Sequence, residues 1–262
     1  MARNQKQTNY DPDAIRIVPL YVPGTAAQPS PEAAPAPPAA RLTYRNGPLI
    51  SAVEVVPIFW GGAWTAAPHA AMVGRLNQFF DFILTSALID QLTEYNVRKH
   101  AITHGRRTGT TTIATPALTT SVTDGAIRKM LQQEIATGKR VPKPTANTLY
   151  FIYVQPGVRV VLGGSASCQA FCGYHNAASG AIFYAVMPHP GCNGCTGSLA
   201  AFDALTSTSS HELCEAITDP IPGEGWYDDT NGEIGDICAW KTKKVGNYVV
   251  QLEWSNGANR CV

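Results

Sequence analysis

The chain has 262 residues, 45% of them hydrophobic and 15% charged, with a formal net charge of +1. This apolar content supports a sizeable core and excludes an intrinsically disordered protein, and the length fits one domain with tails, or two small domains. Near-neutral charge gives no global field to attract nucleic acid or an anionic membrane, and no apolar run is long enough to span a bilayer.

The opening MARNQKQTNYDPDAIRIVPLYVPG lacks the apolar stretch of a secretory signal, because IRIVPLYV is broken by Pro19 and preceded by Asp11 and Asp13. VPGTAAQPSPEAAPAPPAA is rich in Pro and Ala and reads as an extended, semi-rigid linker. Residues 1 to about 40 are therefore expected to be a disordered tail, and 41–262 a single globular domain. The cysteines pull against the missing signal. Six lie between Cys168 and Cys238 in Gly-rich sequence, and Cys261 stands near the end. That is the pattern of disulfide bracing in an oxidising place, so the cysteines point to an extracellular or cell-envelope location while the absent signal leaves a cytoplasmic one open.

Ile50–Trp60 alternates and then turns apolar, which predicts a buried strand stopped by Gly61-Gly62, with Pro57 marking a bulge or a sheet edge. Met72, Leu76, Phe79, Phe80, Ile83 and Leu84 follow at helical spacing, and a second short helix reaches Leu92. GTTTIATPA predicts a short or edge strand. Thr123 is placed to cap a helix over Gly125–Ala136, ended by Gly138. NTLYFIYVQP and AIFYAVMP are strand candidates, with SASCQAFCGYHNAASG between them read as a loop. Leu199–Thr218 is free of Gly and Pro and predicts a buried helix, terminated by Pro220. A Gly-rich loop, GEGWYDDTNGEIGDIC, and a last strand, NYVVQLEW, complete the order, which suits an α+β or layered α/β domain.

Helical residues four apart share a face, so His211 and Glu215 are neighbours and Asp219 extends their row to the helix end. Glu212 sits about 100° round. Two acids at the negative end of the helix dipole call for a compensating charge, from a divalent cation or an arginine. Zinc takes imidazole and carboxylate in a tetrahedral set. His211 and Glu215 supply two ligands, and Glu233 or Asp236 of the following loop the third. Glu212 is then the candidate general base on water, the division of labour of the H-E-x-x-H motif. The carboxylate in place of the second histidine makes zinc a poorer Lewis acid and brings calcium or manganese into consideration. The ordinary alternative is a helix that happens to contain His-Glu, its acids paired to Arg or Lys.

Three blocks in order, FCGYHNAASGAIFYAVMPHPGCNGC, SSHELCEAITDP and GWYDDTNGEIGDIC, together with RNGPLISAVEVVPIFWGGAW, resemble the phosphate-induced protein family that includes the plant EXORDIUM proteins. The resemblance spans roughly Tyr44 to Cys261. It implies a divergent zincin-like metallopeptidase, with a mixed sheet, a buried active-site helix carrying His211, Glu212 and Glu215, and peptides or proteins as substrates. Bacterial members of the family resemble secreted hydrolases. Its plant members look like cell-wall-associated growth regulators, so a non-catalytic binding or signalling protein with a structural metal is the alternative. Cys214 departs from the small residue expected there, as a buried thiol, a disulfide partner or an alternative ligand. Cys168-x₃-Cys172 and Cys192-x₂-Cys195 fit a four-thiolate zinc or disulfides, and the extracellular character of the family favours disulfides. Cys238 and Cys261 are expected to pair. His175, in the family's F-C-G-aromatic-H block, is a second candidate catalytic or ligand residue, with a role toward a reacting carbonyl.

The remaining constellations carry less. His189 lies between prolines and reads as structural, and His69, His100 and His104 have no partner in sequence. Ser207–Ser210 precedes His211 without a G-x-S-x-G elbow, so no serine nucleophile is assigned. Trp226 and Tyr227 line a cleft or belong to the core.

Overall fold

The computed structural model describes residues 17–21, 40–179 and 181–262. Its architecture follows from the strand Thr148–Val154, all of whose residues are buried. Leu149, Phe151 and Tyr153 enter one apolar core, and Tyr150, Ile152 and Val154 enter another. Successive residues of a strand face opposite ways, so an apolar run buried throughout needs a layer on each face of its sheet.

The sheet runs in the order Ile17–Pro19, Phe171–Ala178, Ile182–Pro188, Thr148–Val154, Ala52–Trp60 and Thr103–Arg107, with Thr111–Ile113 also paired to Ala52–Trp60. Pairing is antiparallel at the Ile17 end and parallel from Ile182–Pro188 onward. Helices His69–Ile83 and Ala201–Thr218 pack on one face, and Asp124–Thr137 packs on the other. The fold is mixed α+β, as the element order predicts. Thr123 caps its helix by accepting from Ala126 N, and Gly138 ends it with a positive φ of 60° that glycine adopts without strain.

Several expectations change in informative ways. Pro57 is not on an edge strand, since it pairs with Phe151 in the middle of the sheet, but the pairing on its other side is irregular there, with one extra residue on the partner side, as expected of a bulge. On its other side the partner strand is interrupted: Val55 pairs with Arg107 and Ile58 with Thr111. The N–H that proline lacks falls in that gap, so no ladder bond is lost. The segment read as a loop before AIFYAVMP contains the eight-residue strand Phe171–Ala178, which carries His175. Phe171, Tyr174 and Ala178 enter the second core, but Gly173 and His175 face the polar helix and the register shift beside Cys172 and Gly173 breaks the alternation, so small and polar residues hid the strand. Ile17–Pro19, placed in the tail by sequence, pairs with that same strand. The rest of the expected tail, 1–16 and 22–39, lies outside the described residues.

Disulfides join Cys168 to Cys192, Cys172 to Cys195 and Cys238 to Cys261, and Cys214 is a free, buried thiol. The first two bridges consume all four thiols of the alternative zinc set. Trp226 settles as packing: it lies against the first core, its ring near Tyr44 and Tyr95, and its Nε1 donates to Tyr95 O. Among the described residues, no helix is long and apolar enough to cross a membrane.

Candidate metal centre

The helix Ala201–Thr218 is buried at every position from Ala204 onward, although every residue from Thr206 to Glu212 is polar or charged. Its hydroxyls find partners nearby. Thr206 Oγ1 donates to Val249 O, Ser209 Oγ meets Tyr153 OH at 2.7 Å, and Ser210 Oγ donates to Ser207 O while accepting from Gln251 N. The serine run thus ties the helix to the sheet and to the hairpin Thr242–Val245/Tyr248–Gln251.

The charged residues are different. His211 Nε2 lies 3.0 Å from Glu215 Oε1, as the four-residue spacing predicts. Asp236 joins them, and ligand atoms of His211, Glu215 and Asp236 all lie within 4.8 Å of one another. Asp236 N also donates to Glu215 Oε1. Gly235 is what lets the loop come so close, because a Cβ there would stand 2.7 Å from His211 Nδ1 and 2.9 Å from Glu215 Oε1. On the far side of the ring, His211 Nδ1 lies 2.8 Å from Gln251 Nε2, which donates to Gly235 O, while Gln251 Oε1 accepts from Trp240 N.

His175 arrives from the sheet. Its Nδ1 is 3.0 Å from Glu212 Oε2 and 3.5 Å from Glu215 Oε2, and His175, Glu212 and Glu215 form a second group of close ligand atoms. His175 Nε2 is 3.1 Å from Asp219 O. A carbonyl can only accept, so that nitrogen carries a proton, and Nδ1 faces two carboxylates either with a second proton or with a cation between them. Glu233 lies on the same side, with Oε1 3.5 Å from His175 Nε2.

Asp219 does not extend the His211–Glu215 row as the sequence predicts. With φ −154° and ψ 63° it has left the helix, and its carboxylate accepts from the backbone N–H groups of Gly223, Glu224 and Gly225. Its side chain shapes the loop, and its carbonyl orients His175. Cys214 does not join the ligand groups either; it packs in the first core with Leu213 and Ile217.

The electrostatics are severe. His175, His211, Glu212, Glu215, Glu233 and Glu253 are all 0% exposed. Among the described residues, no arginine or lysine forms an ion pair with Glu212, Glu215, Asp219, Glu233 or Glu253. Burial pushes Glu212 up despite the hydrogen bond from His175, and pushes Glu233 and Glu253 well above the carboxylate range. Burial also acts to raise Glu215, but His211 and His175 outweigh it and hold it at about 2. Burial opposes charge on both imidazoles, yet Glu233 and Glu212 around His175, and Glu215 around His211, keep them well above the ordinary histidine value. His211 Nε2, Glu212 Oε1, Glu215 Oε2 and both oxygens of Glu233 and of Glu253 make no hydrogen bond of good geometry.

All six residues predicted for the site therefore gather at one place: His211, Glu215 and Asp236 on one side, and His175, Glu212 and Glu233 on the other. Sequence reasoning missed Gln251 and Glu253. Their signal was two polar residues at alternate positions of the apolar run NYVVQLEW, of which Gln251 ends the strand Tyr248–Gln251 and Glu253 lies just beyond it. A broad cleft of about 510 Å³ between Trp60, Pro116, Lys129 and Met130 belongs to the opposite face and contains none of these groups. The chain matches no protein-family model and no curated protein.

Proposed function

We propose that the protein is a divalent-metal-dependent hydrolase, with zinc as its first expected ion, calcium or manganese as alternatives, and peptides as the substrate class. One observation carries the reading: two groups of close ligand atoms that share Glu215, His211–Glu215–Asp236 and His175–Glu212–Glu215, hold the buried atoms His211 Nε2, Glu212 Oε1 and Glu215 Oε2, which have no well-formed hydrogen bond and, among the described residues, no ion-paired arginine or lysine. Each buried polar atom left unsatisfied costs roughly 1–3 kcal/mol, and more when charged. A cation removes several such costs together, and an imidazole with carboxylates is a donor set that zinc accepts.

In this reading His211, Glu215 and Asp236 would hold the ion, and Glu233, beside His175, would be the alternative loop carboxylate. When bound, the ion polarises a substrate carbonyl and makes an adjacent water more acidic. Glu212 takes the proton of the attacking water. Its Oε2 is fixed by His175, and its Oε1 is left without a hydrogen bond. His175 is fixed in turn by Asp219 O, so the base is oriented through two contacts. The H-E-L-C-E helix followed by the E-I-G-D-I-C loop supports a zincin-like arrangement and the resemblance to the phosphate-induced proteins. Three disulfides fit an oxidising compartment.

Complete burial of the centre favours one second reading, a binding or signalling module at the cell surface whose ion is structural. Metal analysis of the purified protein, with casein and mixed peptides as substrates, separates the two. A stoichiometric divalent ion with chelator-sensitive cleavage supports the hydrolase. An ion that raises stability without any cleavage supports the module. No ion, and stability unchanged by chelator, removes both.

A further inference from the structure

The strand that carries His175 would be an edge of the sheet without Ile17–Pro19. We propose that this edge is a binding site for an extended peptide, and that residues 17–21 of the chain itself fill it. The peptide's role as substrate rests on the hydrolase reading above; its binding does not.

The segment lies antiparallel to Phe171–Ala178, with Ile17 opposite Tyr174, Val18 opposite Gly173 and Pro19 opposite Phe171. Opposed residues of an antiparallel pair share a face. On the face of Gly173, an added Cβ would stand 2.7 Å from Thr208 Cγ2 and 3.2 Å from Glu212 Oε1. The residue at Val18 therefore lies directly across the edge from the point where the sheet touches the proposed base. The helix Ala201–Thr218 packs against both strands. A peptide in this slot reaches the centre along the one strand that carries His175.

The slot is built to hold backbone and side chains. Trp240 Nε1 donates to Pro19 O at 2.9 Å, and Tyr21 N donates to Gly194 O at 2.7 Å. Val18 is 3% exposed and packs with the Cys172–Cys195 bridge. Leu20 and Tyr21 occupy the space over Gly194 and Gly197, where a Cβ would come within 3.2 and 3.3 Å of them, and the Tyr21 ring meets Trp240 edge-on at 5.4 Å. Two disulfides brace this seat, so it is preorganised whether or not it is filled. Backbone pairing gives affinity to any extended chain, while the Val18 and Tyr21 positions select an apolar and an aromatic residue three apart. A three-residue strand ending in proline makes few ladder bonds, so a competing peptide has little to displace.

The test uses the full chain and a fluorescently labelled peptide IRIVPLYV, copied from residues 15–22, with binding followed by anisotropy in chelator so that no turnover intervenes. Val18→Asp puts a charge into an apolar seat and should expel the native segment. The variant is expected to bind the peptide at least 10-fold more tightly than the unaltered chain, and a scrambled peptide should not bind. Leu20→Asp, at a half-buried position, should give the same result in smaller degree and serves if the first variant does not fold. Equal or absent binding by the unaltered chain and by a folded variant overturns the proposal. Peptide binding without metal-dependent cleavage by any form keeps the seat and removes the hydrolase reading. Cleavage without peptide binding does the reverse.

Discussion

His175 Nδ1 stands 3.0 Å from Glu212 Oε2, joining a strand to the helix that packs beneath it. Because His175 Nε2 donates to Asp219 O, the two groups must share a proton or a cation across that contact. The pair holds one carboxylate oxygen in place and leaves the other, Glu212 Oε1, without a hydrogen bond. This is the geometry expected of a positioned base.

Glu212→Gln should therefore keep the fold and the ion while abolishing hydrolysis. The amide has the same shape and still bonds His175, but it cannot accept a proton from water. General acid–base groups contribute about 10²–10⁴-fold, so casein cleavage should fall by that factor with metal content unchanged. Undiminished cleavage would end the role assigned to Glu212.

The pH dependence of the metal-free protein has a definite sign. Burial pushes Asp219 up to about 6 and raises Glu212, Glu233 and Glu253, while surrounding carboxylates hold His175 and His211 up against the effect of burial. All these groups bind more protons folded than unfolded. Their stabilisation is present in full below the unfolded values, about 4 for carboxyls and 6.5 for imidazole, and is lost as pH rises through the folded values. Asp219 alone contributes on the order of 3 kcal/mol, lost between about pH 4 and pH 6. Glu215, held at about 2, runs the other way, with stabilisation present above its ordinary value and lost as pH falls toward 2. In chelator, Tm should thus be highest in weak acid and fall toward pH 8, and added zinc should reverse the fall by replacing protons. Calorimetry that finds chelated Tm rising from pH 5 to pH 8 contradicts this account.

Much of the centre was legible because one helix holds it. The four-residue spacing fixes His211 beside Glu215 wherever the helix packs, and Asp236 lies in the acidic segment that follows the helix, 21 residues after Glu215. Asp219 was misplaced because Pro220 moves the residue before it out of helical torsions, which turns the carboxylate away. The strand of His175 was hidden because a register shift near Cys172 and Gly173 interrupts the alternation between faces, leaving Phe171, Tyr174 and Ala178 on the apolar face without an even spacing. Gln251 and Glu253 depend on contacts across some forty residues of chain, for which local periodicity holds no information. The parallel core strands were easier, since burial on both faces leaves an unbroken apolar run.

Cys214→Ala tests whether the thiol belongs to the centre. The side chain is fully buried among Leu213, Ala216 and Ile217, and burial raises its pKa well above the ordinary thiol value, so it stays protonated and is a poor ligand. The substitution should lower stability by about 1 kcal/mol through lost packing. Zinc affinity, measured by competition titration, should be unchanged. A large loss of affinity in a folded variant would place the thiol in the ligand set.

Gln251 is the most discriminating position, because it controls which nitrogen of His211 is free. With Oε1 accepting from Trp240 N and Nε2 donating to Gly235 O, the amide also presents a donor to His211 Nδ1. The neutral imidazole then carries its proton on Nε2, the nitrogen facing Glu215. Ligation through Nε2 requires the proton at Nδ1 and an acceptor opposite it, so the amide must turn over. Gln251→Glu supplies that acceptor without any turn, and Gln251→Leu supplies none. Zinc affinity should therefore rank the glutamate variant at or above the native chain and the leucine variant about 10–100-fold below it, the range found for partners that orient ligating histidines. In chelator the order of stability should invert for glutamate, because it adds a carboxyl to a centre already crowded with buried acids. A leucine variant that binds zinc as tightly as the native protein would mean that His211 Nε2 does not hold the ion, and the ligand set would then have to be built on His175, Glu212 and Glu215 instead.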